Sequence, residues 1–207
     1  MHNNEISVKL LNFSRKIQCI LTITLWVLLA FGFDKPYVAG LTVIAAIVHE
    51  CGHVFCARLI LRSDFSASSR LSGPRIRARK ISSYSGELLL LFGGVLSNLT
   101  AFLASLPFLH TSEYILCFAI LNLATALSNL LPLSGHDGYG LIRVLLEKHE
   151  APRWAFSALH ATSALLGTLG CIFALFLMER VGEGYWLFGI FYFSLVCDLF
   201  ERQTNHF

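Results

Sequence analysis

The sequence predicts an all-α, polytopic membrane protein of about six transmembrane helices, and three observations predict it. Of 207 residues, 55% are hydrophobic and only 14% charged, with a mean hydropathy of +0.63, far from the balance of a water-soluble domain. Six apolar stretches each approach the roughly twenty residues that cross a hydrocarbon core. The basic residues are also sorted between the loops. With the N-terminus inside, all of the 16 Lys and Arg except Lys35 and Arg180 fall on the inner side, which supports an even number of spans and cytoplasmic termini.

The first stretch, Ile17–Phe33, follows Lys9, Arg15 and Lys16. It resembles a signal sequence, but Asp34-Lys35-Pro36 comes next and no small-residue cleavage site, so it reads as a retained helix. The second, Val38–Leu61, is polar in its middle. The third and fourth are Leu88–Leu109 and Ile115–Leu133. Arg153 and Trp154 anchor the start of the fifth, Ala155–Met178, at the membrane surface. The sixth is Tyr185–Phe200.

Between the second and third spans, Ser63–Gly86 is polar and basic, and Arg75–Ile81 partly alternates as a short strand or hairpin does. Two readings stay open for it: a solvated loop on anionic headgroups, or an edge strand that holds an extended substrate. Leu141–Lys148 is apolar on one side and suits a short interfacial helix. The expectation is a single integral membrane domain, residues 1–207, with no appended soluble domain. A net charge of +3 gives no reason to expect a nucleic-acid partner. The six cysteines lie in apolar stretches without a C-x-x-C pair and read as small buried hydrophobes.

The second span carries His49-Glu50-Cys51-Gly52-His53. On a helix, His49 and His53 share one face, where two imidazoles can hold one metal ion. Glu50 stands beside them as a proton acceptor rather than a ligand. Ionisable groups are costly in hydrocarbon, so a span that keeps them usually does so for function. A metal hydrolase needs a third protein ligand, with the fourth position left to water. Asp137 is the favoured donor. It lies in Asn129–Gly138 at the inner end of the fourth span, where Pro132 and two glycines let the chain turn back into the bundle. His136 on the same loop is the alternative, and Cys56, near the histidine face, a weaker one. The expected centre therefore lies between the second, third and fourth spans, nearer the cytoplasm.

Such a set supports metal-assisted hydrolysis, with Glu50 taking a proton from water and passing it to the leaving amine. Asn98 and Asn129, polar residues within apolar helices, are candidates to stabilise an oxyanion or position substrate. Interhelical hydrogen bonding accounts for them equally well. His160, Asp198 and Glu87 read as packing or interfacial groups.

Together these residues resemble the site-2 protease family of intramembrane zinc metalloproteases. Three signatures occur in order: H-E-x-x-H at His49–His53, G-x-x-x-N at Gly94–Asn98, and N-x-x-P-x-x-x-x-D-G at Asn129–Gly138. The resemblance covers roughly Val38 to Leu146. It implies one Zn2+ per chain held by His49, His53 and Asp137, Glu50 as the base, and Asn129 near the site. One span before the motif and two after Asp137 are most similar to the compact bacterial branch, which includes a sporulation protease that cleaves a membrane-tethered pro-sigma factor. That implies a bacterial cytoplasmic membrane, a membrane-bound protein substrate, and a separate membrane subunit or the lipid itself as regulator. The chain departs from the family's usual residues at Gly135 and His136, where Pro and Leu are common, at Tyr139, where a second glycine is usual, and at Val95, often proline. The alternative from another class is a non-catalytic metal-binding scaffold or transporter, which has no need of Glu50.

Overall fold

The computed structural model describes residues 35–60, 65–70, 73–78, 83–181 and 185–204; the span expected at Ile17–Phe33 lies outside them. Helix α1, Pro36–Phe55, starts with proline at its first turn, where a missing N–H costs nothing. It runs on into a π-helical turn, Cys56–Ile60. Strands β1, Phe65–Arg70, and β2, Gly73–Ala78, pair antiparallel from Phe65 opposite Ala78 to Arg70 opposite Gly73. Of the alternation read at Arg75–Ile81, Arg75–Ala78 lies in this hairpin, and among the described residues the regular elements are otherwise helical. Helix α2, Tyr84–Ser105, ends in a 3-10 turn at Leu106–Phe108.

Helix α3, Glu113–Leu130, begins where the Ser112 hydroxyl accepts from Tyr114 N. It stops three residues short of the expected Leu133. The cause is local: the ring of Pro132 disfavours the helical region for the residue before it, and Leu131 is extended with ψ 144°. Helix α4, Asp137–Lys148, takes in the expected Leu141–Lys148. It is amphipathic, with Leu141 and Val144 buried and an exposed Arg143–Glu147 pair on the other face. Helix α5, Arg153–Val181, is 29 residues long, about 44 Å at the helical rise. Helix α6 is Tyr185–Thr204.

Among the described residues, four segments are long and apolar enough to cross a membrane: Pro36–Arg58, Tyr84–Phe108, Glu113–Leu130 and Arg153–Arg180. The apolar part of α6, Leu187–Asp198, is shorter. Helices α1, α2 and α3 pack on one another; α4 lies against α2 and α3; α5 packs along α6 and meets the rest mainly through α4.

Polarity in this body is inverted relative to a soluble protein. Ile47, Leu103, Ile120, Leu127, Leu165 and Phe176 are exposed, whereas Asn98 and Asn122 have no exposed surface at all. Apolar residues outside and amides within are what a hydrocarbon solvent selects. Close backbone approach holds α1 to α2. A Cβ on Gly93 would lie 2.8 Å from the Gly52 carbonyl oxygen and 2.7 Å from Cys56 Sγ. Small residues permit that approach between membrane helices.

Candidate metal centre

The helical spacing of His49 and His53 puts both imidazoles on the face of α1 that meets α2, and both are buried. Their Nε2 atoms are 3.2 Å apart. Asp137 arrives from the start of α4, and its position follows from the preceding loop. Pro132 ends α3, and Gly135, with φ 96°, takes a left-handed turn that side chains disfavour. Gly138 then lets α4 abut the carbonyl of Leu130 at the end of α3, where a Cβ would collide. The Asp137 Oδ2 atom consequently lies 3.0 Å from His49 Nε2 and 3.3 Å from His53 Nε2.

The protonation of this triangle can be read from what stands behind it. The Asn122 Nδ2 donates to Phe118 O at 2.8 Å, so its Oδ1 is turned towards α2. That oxygen accepts from Asn98 Nδ2 at 2.9 Å, and the same Nδ2 also donates to Ala45 O at 3.0 Å. The Asn98 Oδ1 is therefore left to accept from His49 Nδ1 at 3.0 Å. Leu90 O, which can only accept, takes the proton of His53 Nδ1 at 2.7 Å. With both Nδ1 atoms protonated, the two neutral imidazoles turn bare Nε2 lone pairs towards one another and towards a carboxylate oxygen.

Three acceptors at 3.0–3.3 Å with no proton between them repel unless a cation sits among them. The spacing is slightly tighter than a tetrahedral site and would open a little around an ion. Ligands with bonds of about 2.0–2.2 Å in tetrahedral geometry lie about 3.3–3.6 Å apart. A proton can partly take the cation's place. Burial opposes the charge on Asp137, but with such a proton on Nε2 the hydrogen bonds and attraction from His49 and His53 outweigh it and hold the carboxyl well below the usual carboxylate range. Among the described residues, His49, His53 and Asp137 form the group able to hold a metal. The other sequence candidates, His136 and Cys56, are not members of it; His136 occupies the N-cap position of α4 without a side-chain capping bond.

Room for the ion comes from Gly94. A Cβ there would lie 2.5 Å from His53 Nε2 and 2.6 Å from His49 Nε2, in the space the triangle faces. One turn further along α2, Asn98 reaches the back of His49. Its amide is fully used there, with its oxygen on His49 and its N–H groups on Ala45 and Asn122. Both N–H groups that an oxyanion role would use are engaged in these bonds, and the Asn98 oxygen orients the His49 ring. Asn129 sits half-buried in the last turn of α3 and donates to Thr125 O at 3.0 Å. Glu50 is half-buried on the same helix as the two histidines, next to His49. Asn122 was not singled out from the sequence. As a lone amide in an apolar helix, it carries the same signal that marked Asn98 and Asn129.

A helical membrane body with a buried His–His–Asp centre is the class that fold and site define. No family model and no curated protein matches the sequence. Among solved structures, the fold is similar to the site-2 protease from Methanocaldococcus jannaschii. The TM-score is 0.64 over 88% of this chain and 86% of that one, at 19% identity.

Proposed function

We propose that the chain is an intramembrane zinc metalloprotease that hydrolyses a peptide bond in or near a membrane-spanning segment of a protein substrate. The observation that carries the reading is the triangle of bare lone pairs with an acid, Glu50, beside it: three protein ligands rather than four leave a position open, as catalytic sites do. When bound, zinc supplies a Lewis acid that polarises the carbonyl and acidifies water.

The chain's own residues do the rest. Asn98 and the Leu90 carbonyl fix the two imidazoles as neutral ligands. Glu50 takes the proton from water and returns it to the leaving amine. With the amide of Asn98 committed to His49, Asn129 is the remaining amide candidate for the substrate carbonyl. A packed helix hides its carbonyls, so the substrate must unwind near the cut, and segments with helix-breaking residues are preferred. The hairpin β1–β2 follows the motif helix directly and offers backbone edges to such an extended segment. The charge distribution supports cytoplasmic termini and a cut near the cytoplasmic face of a bacterial membrane. Kinship with the compact branch, suggested by one span before the motif and two after Asp137, is the basis for regulated release of a membrane-held transcription or sigma factor, under control of a separate membrane subunit or of lipid.

The test is metal analysis and cleavage on one preparation of detergent-purified full-length protein, with a single-span test substrate reconstituted beside it. Wild type should carry one zinc and cut. Glu50→Gln should carry one zinc and not cut. Folded protein without zinc sinks the reading, and any function that survives Glu50→Gln leaves a metal-binding scaffold.

A further inference from the structure

Asp137 is held from two sides. On the α3 side, Gly138 presses the start of α4 against the Leu130 carbonyl. On the other side stand two polar residues of α5, one turn apart. The Ser163 hydroxyl accepts from Ser134 N at 2.7 Å, three residues before Asp137. His160 meets the Tyr139 hydroxyl, two residues after it, and behind His160 its Nδ1 donates to Asp198 Oδ1 of α6 at 3.0 Å. The Tyr139 oxygen is 3.0 Å from His160 Nε2 and 3.1 Å from Nδ1. Because the Nδ1 proton goes to Asp198, Nε2 is the acceptor of the Tyr139 O–H. Ser134, Tyr139, Ser163 and Asp198 are all buried.

We infer that His160 and Ser163, with Asp198 behind His160, are positioning residues that set the third metal ligand, Asp137, from helix α5. The inference rests on the metal reading of the site. Ordinary packing also pairs buried polar groups between membrane helices. Two features go beyond it. The bonds converge on both flanks of one ligand, at a place where Gly135 and Gly138 leave the backbone little stiffness of its own. And a carboxylate, Asp198, is buried where the apolar part of α6 ends, and a buried acid of a membrane helix is costly unless it pairs with or orients something. The arrangement has the form of outer-shell support for a metal ligand, passed here through the backbone on either side of it.

The experiment uses full-length protein in detergent, stripped and reloaded with Zn2+ in competition with a chromogenic chelator, and with Co2+ for its d–d absorption spectrum. The variants are Tyr139→Phe, Ser163→Ala, Ser163→Thr and Asp198→Asn, with Thr162→Ala as control. Thr162 is exposed on the same helix and bonds only its own Ala158 carbonyl in the structure. The expected result is Zn2+ binding about 10- to 100-fold weaker in Tyr139→Phe, Ser163→Ala and Asp198→Asn, with an altered Co2+ spectrum. Ser163→Thr and Thr162→Ala should match wild type. Variants that lose thermal stability as metal-free protein yet keep wild-type Zn2+ affinity and Co2+ spectrum overturn the inference alone. A wild type that binds neither metal overturns the metal reading and the inference with it.

Discussion

Replacing Gly94 with alanine adds one methyl group, and its consequence can be worked from the geometry. The added Cβ would stand 2.5 Å from His53 Nε2 and 2.6 Å from His49 Nε2, where ordinary contact begins at 3.4 Å. Relief therefore requires a displacement of roughly 0.8–0.9 Å at both rings, set against zinc bonds of about 2.0–2.1 Å. Neither ring can give it freely, because each is tied through Nδ1, to Asn98 and to Leu90 O. Helix α2 cannot retreat without parting from α1 along the Gly52–Gly93 contact. The methyl and the metal then compete for the same space. We expect the Zn2+ affinity of Gly94→Ala to fall by at least about a thousandfold, or ~4 kcal/mol. Alanine is also the better helix former by about 1 kcal/mol, so loss of metal should come without loss of helix. Chelator competition gives the affinity, and circular dichroism with thermal unfolding of the stripped protein gives the fold. Wild-type zinc affinity in a folded Gly94→Ala protein would refute the placement of the ion before Gly94, and with it the triangle as the metal centre.

Three further outcomes are expected. Asn98→Ala removes the acceptor behind His49 and strips Asn122 Oδ1 and Ala45 O of their donor; Zn2+ binding should weaken about 10- to 100-fold, and chelator titration of purified protein checks it. Gly52→Val forces a side chain into the Gly93 carbonyl and the Ser97 hydroxyl, which itself bonds Val48 O at 2.8 Å; overpacking of about 1–3 kcal/mol should lower the unfolding midpoint even in stripped protein. Acid should release the metal, because protons compete for the Nε2 lone pairs. Metal retained after buffer exchange at successively lower pH measures this, and retention that does not depend on pH would contradict imidazole ligation.

How far this could be read in advance depended on the range of the interaction. The pairing of His49 with His53 needs only helix periodicity, so four residues of spacing suffice. The hairpin was half-legible, because alternation at Arg75–Ile81 is local but its partner strand is not. Hydropathy continues through Leu131 and Leu133, three residues past the end of α3, because the stop is set by the steric effect of Pro132 on its predecessor and not by polarity. Asp137 was legible from its place between glycines at a helix end and from the order of motifs. Helix spacing alone leaves it equal to His136, and what separates them is the left-handed turn at Gly135 together with the fit of Gly138 under Leu130.

The role of Asn98 shows where local reasoning stops. Polarity in an apolar helix leaves a functional role and interhelical bonding equally open, and whether its amide faces a substrate or a ligand depends on the rotation of α2 against α1. That rotation is set by Gly52 and Gly93, which carry no polarity signal. Once the glycines let the backbones touch, Gly94 must face the imidazole edges, and Asn98, one turn on, must face the back of His49. Asn122 then has to supply the acceptor for the second Asn98 proton, and the tautomer of His49 follows. The same dependence hides His160, Ser163 and Asp198. Each is an ordinary polar residue in its own helix, and only the placement of α5 beside the Asp137 turn gives them a common target. A buried polar residue in this bundle therefore takes its meaning from the small residue that brings its partner close.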